Sequence, residues 1–159
     1  MNDMIFIGSI TGPFGLKGEV KVYCESNHQD KIFNSGMTFY IDDNPYVIKN
    51  AHIHKNNYLV LFEGVNDIKD IDNILKKEIY IRREDLNLKD GEYLTSELFG
   101  LTIKDSEKNI GIVKEILYNK NNFFIKCDNL IIPLNEKYIE KVDITKQCIY
   151  VKDIQELIL

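Results

Sequence analysis

Short apolar runs, alternating or continuous and each closed by Gly, Pro, Asn or Asp, occupy the chain from Met4 to Phe62, and their spacing predicts a β-barrel or sandwich. Met4–Thr11 and Glu19–Glu25 flank a glycine-rich loop. Met37–Ile41 and Tyr46–His54 flank Asp42-Asp43-Asn44-Pro45, and Tyr58–Phe62 follows Asn56-Asn57. In Glu19–Tyr23 every second residue is apolar, so one face of that strand should be buried and the other wet, because successive strand side chains point to opposite faces. Tyr58-Leu59-Val60-Leu61-Phe62 is apolar throughout, which predicts a strand covered on both faces.

Asn66–Lys77 breaks this pattern. Ile68, Ile71 and Leu75 recur at helical spacing, Asn66 can cap the start, Asp67 and Asp70 come early and Lys76-Lys77 late, so an amphipathic helix near the end of the first domain is expected. Glu78–Ile81 should return the chain to the barrel, followed by the polar turn Arg82–Leu86. Residues 87–92 are polar, contain Gly91 and lack periodicity, which marks a linker between a domain at 1–86 and another at 93–159. The second half is again β-rich. Leu101–Lys104 and Ile110–Tyr118 flank Asp105–Asn109, Phe123–Cys127 follows a polar turn, Leu130–Leu134 follows the turn Asp128-Asn129, and Cys148–Val151 closes the series. The apolar tail Ile154–Leu159 should dock on its own domain or on a partner. The fold class expected is therefore mainly β, with two small β-barrel domains.

The loop Gly8–Gly18 holds four glycines and a proline between two β-type runs, a density that marks a turn whose backbone geometry matters, with Gly12, Gly15 and Gly18 as structural residues. It is not a phosphate cradle. Lys17 precedes Gly18 instead of following the last glycine, and Glu19-Val20-Lys21-Val22 alternates like a strand where a Walker loop requires a helix. The loop can serve as a hairpin corner, as a contact site for RNA or protein through Lys17 and Lys21, or as both.

The 159 residues, 44% apolar and 28% charged, have the composition of an ordinary globular protein. No apolar run approaches the roughly 18 residues of a membrane span, and the N-terminus lacks the basic-then-apolar order of a signal peptide, so no membrane partner and a cytoplasmic location are expected. Lys and Arg number 20 against 25 Asp and Glu, a formal charge of −5 that disfavours gripping RNA through many phosphates and suits a basic protein partner. Cys24, Cys127 and Cys148 form no C-x-x-C pair and read as core thiols, and neither a disulfide framework nor a zinc site is indicated. His28, His52 and His54 are the imidazoles available. The last two share a strand face without a third ligand signalled, and Asp42-Asp43-Asn44 lacks the glycine and the distant Glu of a calcium loop. No catalytic constellation, metal site or cofactor is expected, so function should reside in surfaces.

Gly15-Leu16-Lys17-Gly18-Glu19-Val20 resembles the N-terminal signature of the RimM family of ribosome maturation factors, in which His often stands at the position of Phe14. The second half is similar to the PRC barrel that forms the C-terminal domain of that family, through Glu92–Leu101, Gly111–Glu115, Leu130–Leu134 and Val142-Asp143. The resemblance spans essentially the whole chain. It implies a non-enzymatic factor that binds small-subunit ribosomal protein number nineteen and assists maturation of the subunit head and processing of its ribosomal RNA. The immature small subunit would be its assembly partner, and the factor itself a monomer. Members commonly carry Tyr-Tyr where this chain has Tyr93-Leu94, and that pair is associated with binding the ribosomal protein. Tyr93, Leu94, Leu98 and Phe99 are accordingly the expected partner-binding cluster, with packing at the joint between the domains as the alternative role for Tyr93 and Leu94. Leucine at 94 keeps apolar contact but loses the ring and hydroxyl. Two other classes compete: a barrel adaptor that grips ribosomal RNA directly, and an enzyme using Cys24 or the His52/His54 face.

Overall fold

The computed structural model describes residues 3–158, and the chain divides into two units, Met1–Asn87 and Leu88–Leu159. In the first unit, β1 (Met4–Phe14), β2 (Glu19–Tyr23), β3 (Thr38–Ile41), β4 (Asn44–His54), β5 (Asn57–Phe62) and β6 (Glu78–Arg82) close into a barrel in the order β1-β2-β5-β4-β3-β6. Every neighbouring pair is antiparallel, and Tyr40 opposite Tyr80 forms the β3–β6 seam. The long β1 serves two neighbours, pairing β6 from Met4 to Ser9 and β2 from Ser9 to Phe14. Gly8 sits in this transfer, where a Cβ would stand 2.0 Å from the Tyr23 carbonyl oxygen.

The alternation read from Glu19–Tyr23 is realised: Val20 and Val22 are fully buried, while Lys21 is half-exposed. On β5, Leu59, Val60 and Phe62 are buried, so consecutive residues facing opposite ways are both covered. A helical turn at Gln29–Ile32, which the apolar pattern did not signal, buries Ile32 and brings Phe33 face to face with Tyr58 at 3.8 Å and edge-on to Phe39 at 5.7 Å. Each such apolar side chain removed from water stabilises the unit by about 1.5–3 kcal/mol before entropic costs.

The amphipathic helix expected over Asn66–Lys77 is not formed. A 3-10 turn spans Ile68–Ile71, with Asp67 in place of Asn66 as its cap, and Lys76 has a left-handed φ of 66°. Ile71 and Ile74 are the fully buried residues here, three apart, which suits successive tight turns better than a 3.6-residue repeat. Pro45, expected in a loop, lies within β4 opposite Tyr40, and Asp42-Asp43 alone makes the hairpin turn with φ of 52° and 65°.

In the second unit, β9 (Glu115–Asn119), β10 (Asn122–Cys127) and β11 (Leu130–Pro133) form one sheet in the order β11-β10-β9. β7 (Thr102–Asp105), β8 (Lys108–Ile112), β12 (Ile139–Asp143) and β13 (Cys148–Val151) form another in the order β12-β13-β7-β8. Both enclose one core that includes Ile103, Ile125, Ile132, Val142 and Ile149. The continuous strand expected over Ile110–Tyr118 is divided. The Val113 N–H donates to the carbonyl of Leu101, just before β7 of one sheet, and the Lys114 N–H donates to the carbonyl of Lys126 in the other, so the chain changes sheets between these residues. β12 was not anticipated. The tail docks on its own unit through a 3-10 turn at Ile154–Leu157. Ile154 is buried, and the Glu156 carboxylate accepts from the Tyr138 hydroxyl at 3.1 Å and pairs with Lys137 at 2.8 Å. Leu159 lies outside the described residues.

Candidate functional site

Glu92–Leu101 precedes β7, and its middle is a 3-10 turn at Thr95–Leu98. The Leu94 N–H donates to the Glu97 carboxylate at 2.9 Å, and the Glu97 N–H donates to the Leu94 carbonyl at 2.9 Å, which fixes the start of the turn. The four expected contact residues do not share one environment. Leu98 is fully buried in the core of the second unit and Leu94 is fully buried as well. Tyr93 is half-buried against that core, and burial pushes its phenol up from the ordinary value. Phe99 is 65% exposed. The Gly100 N–H donates to the Val113 carbonyl and the Val113 N–H to the Leu101 carbonyl, both at 2.9 Å, anchoring the Phe99-Gly100 corner just beyond β8, where Ile112 is also half-exposed. An aromatic ring held in water by a fixed backbone has the character of an interface anchor.

A second feature is the end of the β1–β2 hairpin. Gly15 and Gly18 have φ of 70° and 97°, and a Cβ on Gly18 would collide with Val65. Gly12 shows no such restriction and pairs with Lys21 inside the ladder. The Ile68 N–H donates to the Leu16 carbonyl at 3.1 Å, seating the loop on the 3-10 turn of the first unit. Leu16 is 77% exposed and Lys17 is exposed beside it. The Lys21 ammonium lies 5.9 Å from the centre of the Phe14 ring, whose other neighbour is the His54 imidazole at 5.0 Å. Sequence reasoning placed His52 and His54 on one face and singled out Lys21. It missed that Phe14 meets Lys21 and His54, because Phe14 and His54 belong to hairpins about 40 positions apart and only the pairing of β2 with β5 sets those hairpins side by side.

The Cys24 thiol, partly buried, is pushed up to about 11, chiefly by that burial, which keeps it protonated at neutral pH. Cys127 and Cys148 are buried free thiols. Among the described residues no group of three His, Cys, Asp or Glu could hold a metal ion, and no helix is long and apolar enough to cross a membrane.

A family model described as the RimM N-terminal domain matches residues 5–86. The chain is 31% identical over 162 aligned positions to a ribosome maturation factor RimM of Staphylococcus aureus strain bovine RF122 / ET3-1, and 30% identical to that of strain JH9. In both cases 96% of this chain and 97% of the relative are covered. Among solved structures, it is similar to a 16S ribosomal RNA processing protein RimM of Pseudomonas aeruginosa, with a TM-score of 0.48, 20% identity, and 94% of this chain and 96% of that one covered. The N-terminal domain of RimM from Thermus thermophilus matches with a TM-score of 0.47 and 17% identity, over 55% of this chain and 98% of that one. By the family match over more than half its length and by relatives aligned end to end, this chain belongs to the RimM family of ribosome maturation factors.

Proposed function

We propose that the chain is a cytoplasmic, monomeric assembly factor that binds small-subunit ribosomal protein number nineteen, and through it the head of the immature small subunit, so that processing of the 16S ribosomal RNA can proceed. It acts by binding and not by chemistry, with residues 1–86 and 93–159 as modules joined by the linker 87–92. The observation that carries the reading is the 65% exposure of Phe99, six residues beyond the half-buried Tyr93 across the 3-10 turn. In this reading Phe99 and the rim of Tyr93 meet the ribosomal protein, while Leu94 and Leu98, both fully buried, hold the turn in place. The chain's charge of −5 adds long-range attraction toward a basic client. Release follows when the mature RNA fold binds the client better than the factor does, since only a difference in affinity between the two states can drive the exchange.

The test is a pull-down with purified small-subunit ribosomal protein nineteen. Wild type should retain it, and Phe99→Ser should lose most of the capture with unfolding behaviour unchanged. Failure of the wild type to bind sinks the reading, and equal capture by Phe99→Ser removes the anchor assigned to it.

A further inference from the structure

We propose that the outer face of the first barrel around Phe14, Lys21, His52 and His54 binds single-stranded RNA, with the Phe14 ring stacking on a base and Lys17, Lys21 and Lys55 meeting phosphates. The proposal rests on the ribosomal role just given and adds a second ligand on a different unit. Lys21, Leu59 and His52 are directly opposed across β2, β5 and β4, so they share one face. Val20 and Val60, one step along, are fully buried, whereas Lys21 is half-exposed and His52 exposed, which makes the Lys21 face the outer one. Leu59, between the two polar side chains on that face, is 2% exposed, so the side chains around it already cover it. Phe14 stands at this face, partly exposed, with the Lys21 ammonium 5.9 Å from its ring centre and the His54 ring, tilted by 56°, at 5.0 Å.

Charge decides the kind of ligand. Lys77 spends its charge on Asp42, and Lys137 spends its own on Glu156. Among the described residues no carboxylate pairs with Lys17, Lys21 or Lys55, although the chain as a whole is acidic. Lys17 lies three residues after Phe14 in the exposed loop, and Lys55 directly follows His54 in the β4–β5 turn, so each ring has an exposed lysine close to it along the chain. Aromatic faces with a few free cations suit unpaired nucleotides, whose bases can stack on a ring. Glu19, opposite Phe14 in the ladder, and the charge of −5 both oppose the dense phosphates of a long duplex.

Fluorescence anisotropy of the full chain with a labelled single-stranded RNA of about 12 nucleotides, against a duplex of the same sequence, tests this. The single strand should bind more tightly. With three lysines engaged, log K against log salt should fall with a slope of about −2 between about 50 and 200 mM. Phe14→Leu should weaken binding by about fivefold to a hundredfold, Phe14→Tyr should restore it, and Lys21→Gln should reduce the slope by about 0.7. Thermal unfolding confirms that each variant is folded. Wild type silent at the lowest salt, preference for the duplex, or equal affinity in Phe14→Leu overturns the assignment. Capture of the ribosomal protein should be unaffected by Phe14→Leu. If that variant loses the protein and keeps the RNA, this face is a protein surface and the inference fails, while the wild-type pull-down still judges the proposed function separately.

Discussion

Gly18 packs so tightly on Val65 that a Cβ at position 18 would lie 2.3 Å from the valine Cγ1, with the Asp67 carbonyl oxygen 3.1 Å away. Valine is short and stiff at χ1, so it cannot swing aside, and the φ of 97° is itself costly for any residue with a Cβ. Gly18→Ala should therefore destabilise the first unit by roughly 2–4 kcal/mol. Gly15→Ala, with φ of 70° but nothing within 4 Å, should lose about 1 kcal/mol from the backbone alone. Gly12→Ala should stay within about 0.5 kcal/mol of wild type. Urea unfolding followed by tyrosine fluorescence gives the ranking, and equal effects at the three sites would refute this account of the loop.

The Cys24 thiol carries a pH signature. Burial raises it from 9.0 to about 11, with the Glu25 charge adding and a backbone hydrogen bond at Ser26 opposing. Below pH 9 both folded and unfolded chains hold the proton and the stability is complete. Between pH 9 and about 11 the unfolded chain releases it while the folded chain does not, so stability falls as pH rises. The loss should reach about 2–3 kcal/mol near pH 11, and Cys24→Ala should flatten that part of the profile. At pH 8 the thiolate is about a hundredfold scarcer than in a free thiol, so alkylation should be correspondingly slow. A thiol that alkylates as fast as free cysteine would contradict the burial.

The parts of this fold that were legible in the sequence are those governed by local chemistry. Val20 and Val22 alternate because one face is wet, and Asp42-Asp43 turns the chain because aspartate tolerates positive φ. The parts that were not legible depend on distant partners. Ile68, Ile71 and Leu75 fit a helical stripe, yet burial selects Ile71 and Ile74, because the segment is held by hydrogen bonds such as Lys76 N–H to the Ile10 carbonyl of β1. The break after Ile112 is marked in the sequence only by Gly111, where a Cβ would collide with the Cys127 sulfur, since the strand partners that Val113 and Lys114 find are invisible in their own side chains. At the interaction surface, residue type revealed that Tyr93, Leu94, Leu98 and Phe99 are apolar. It could not show that a 3-10 turn directs the two leucines inward and Phe99 outward.

Asp67 and Asp70 form a reciprocal cap on the turn that seats the glycine loop. The Asp67 Oδ1 accepts from the Lys69 N–H at 2.9 Å, and the Asp70 Oδ2 accepts from the Asn66 and Asp67 N–H groups at 2.9 and 3.2 Å. Replacing Asp67 or Asp70 by Ala leaves these backbone donors to water and should cost about 0.5–2 kcal/mol each, with the double variant less than additive because the bonds belong to one network. Amide hydrogen exchange at Ile68 should quicken in both single variants, since its N–H bond to the Leu16 carbonyl depends on the turn. Unchanged exchange there would show that the loop holds its place without the cap.

Leu98 and Phe99 are neighbours with opposite duties, and that contrast separates stability from recognition. Leu98 is fully buried in the second core, so Leu98→Ala should cost about 2–5 kcal/mol through lost contacts and a cavity that cannot fully collapse. Phe99 is 65% exposed, so Phe99→Ala should change stability by no more than about 0.5 kcal/mol. In binding to the ribosomal protein the order should invert. Phe99→Ala should weaken affinity by about thirtyfold or more, the scale of an aromatic anchor, whereas Leu98→Ala should lose affinity only in proportion to the fraction unfolded and recover it on cooling. Calorimetric titration at two temperatures measures both effects on the same samples. A Phe99→Ala variant that binds like wild type, alongside a Leu98→Ala variant that fails to bind while fully folded, would move the contact surface away from the exposed ring.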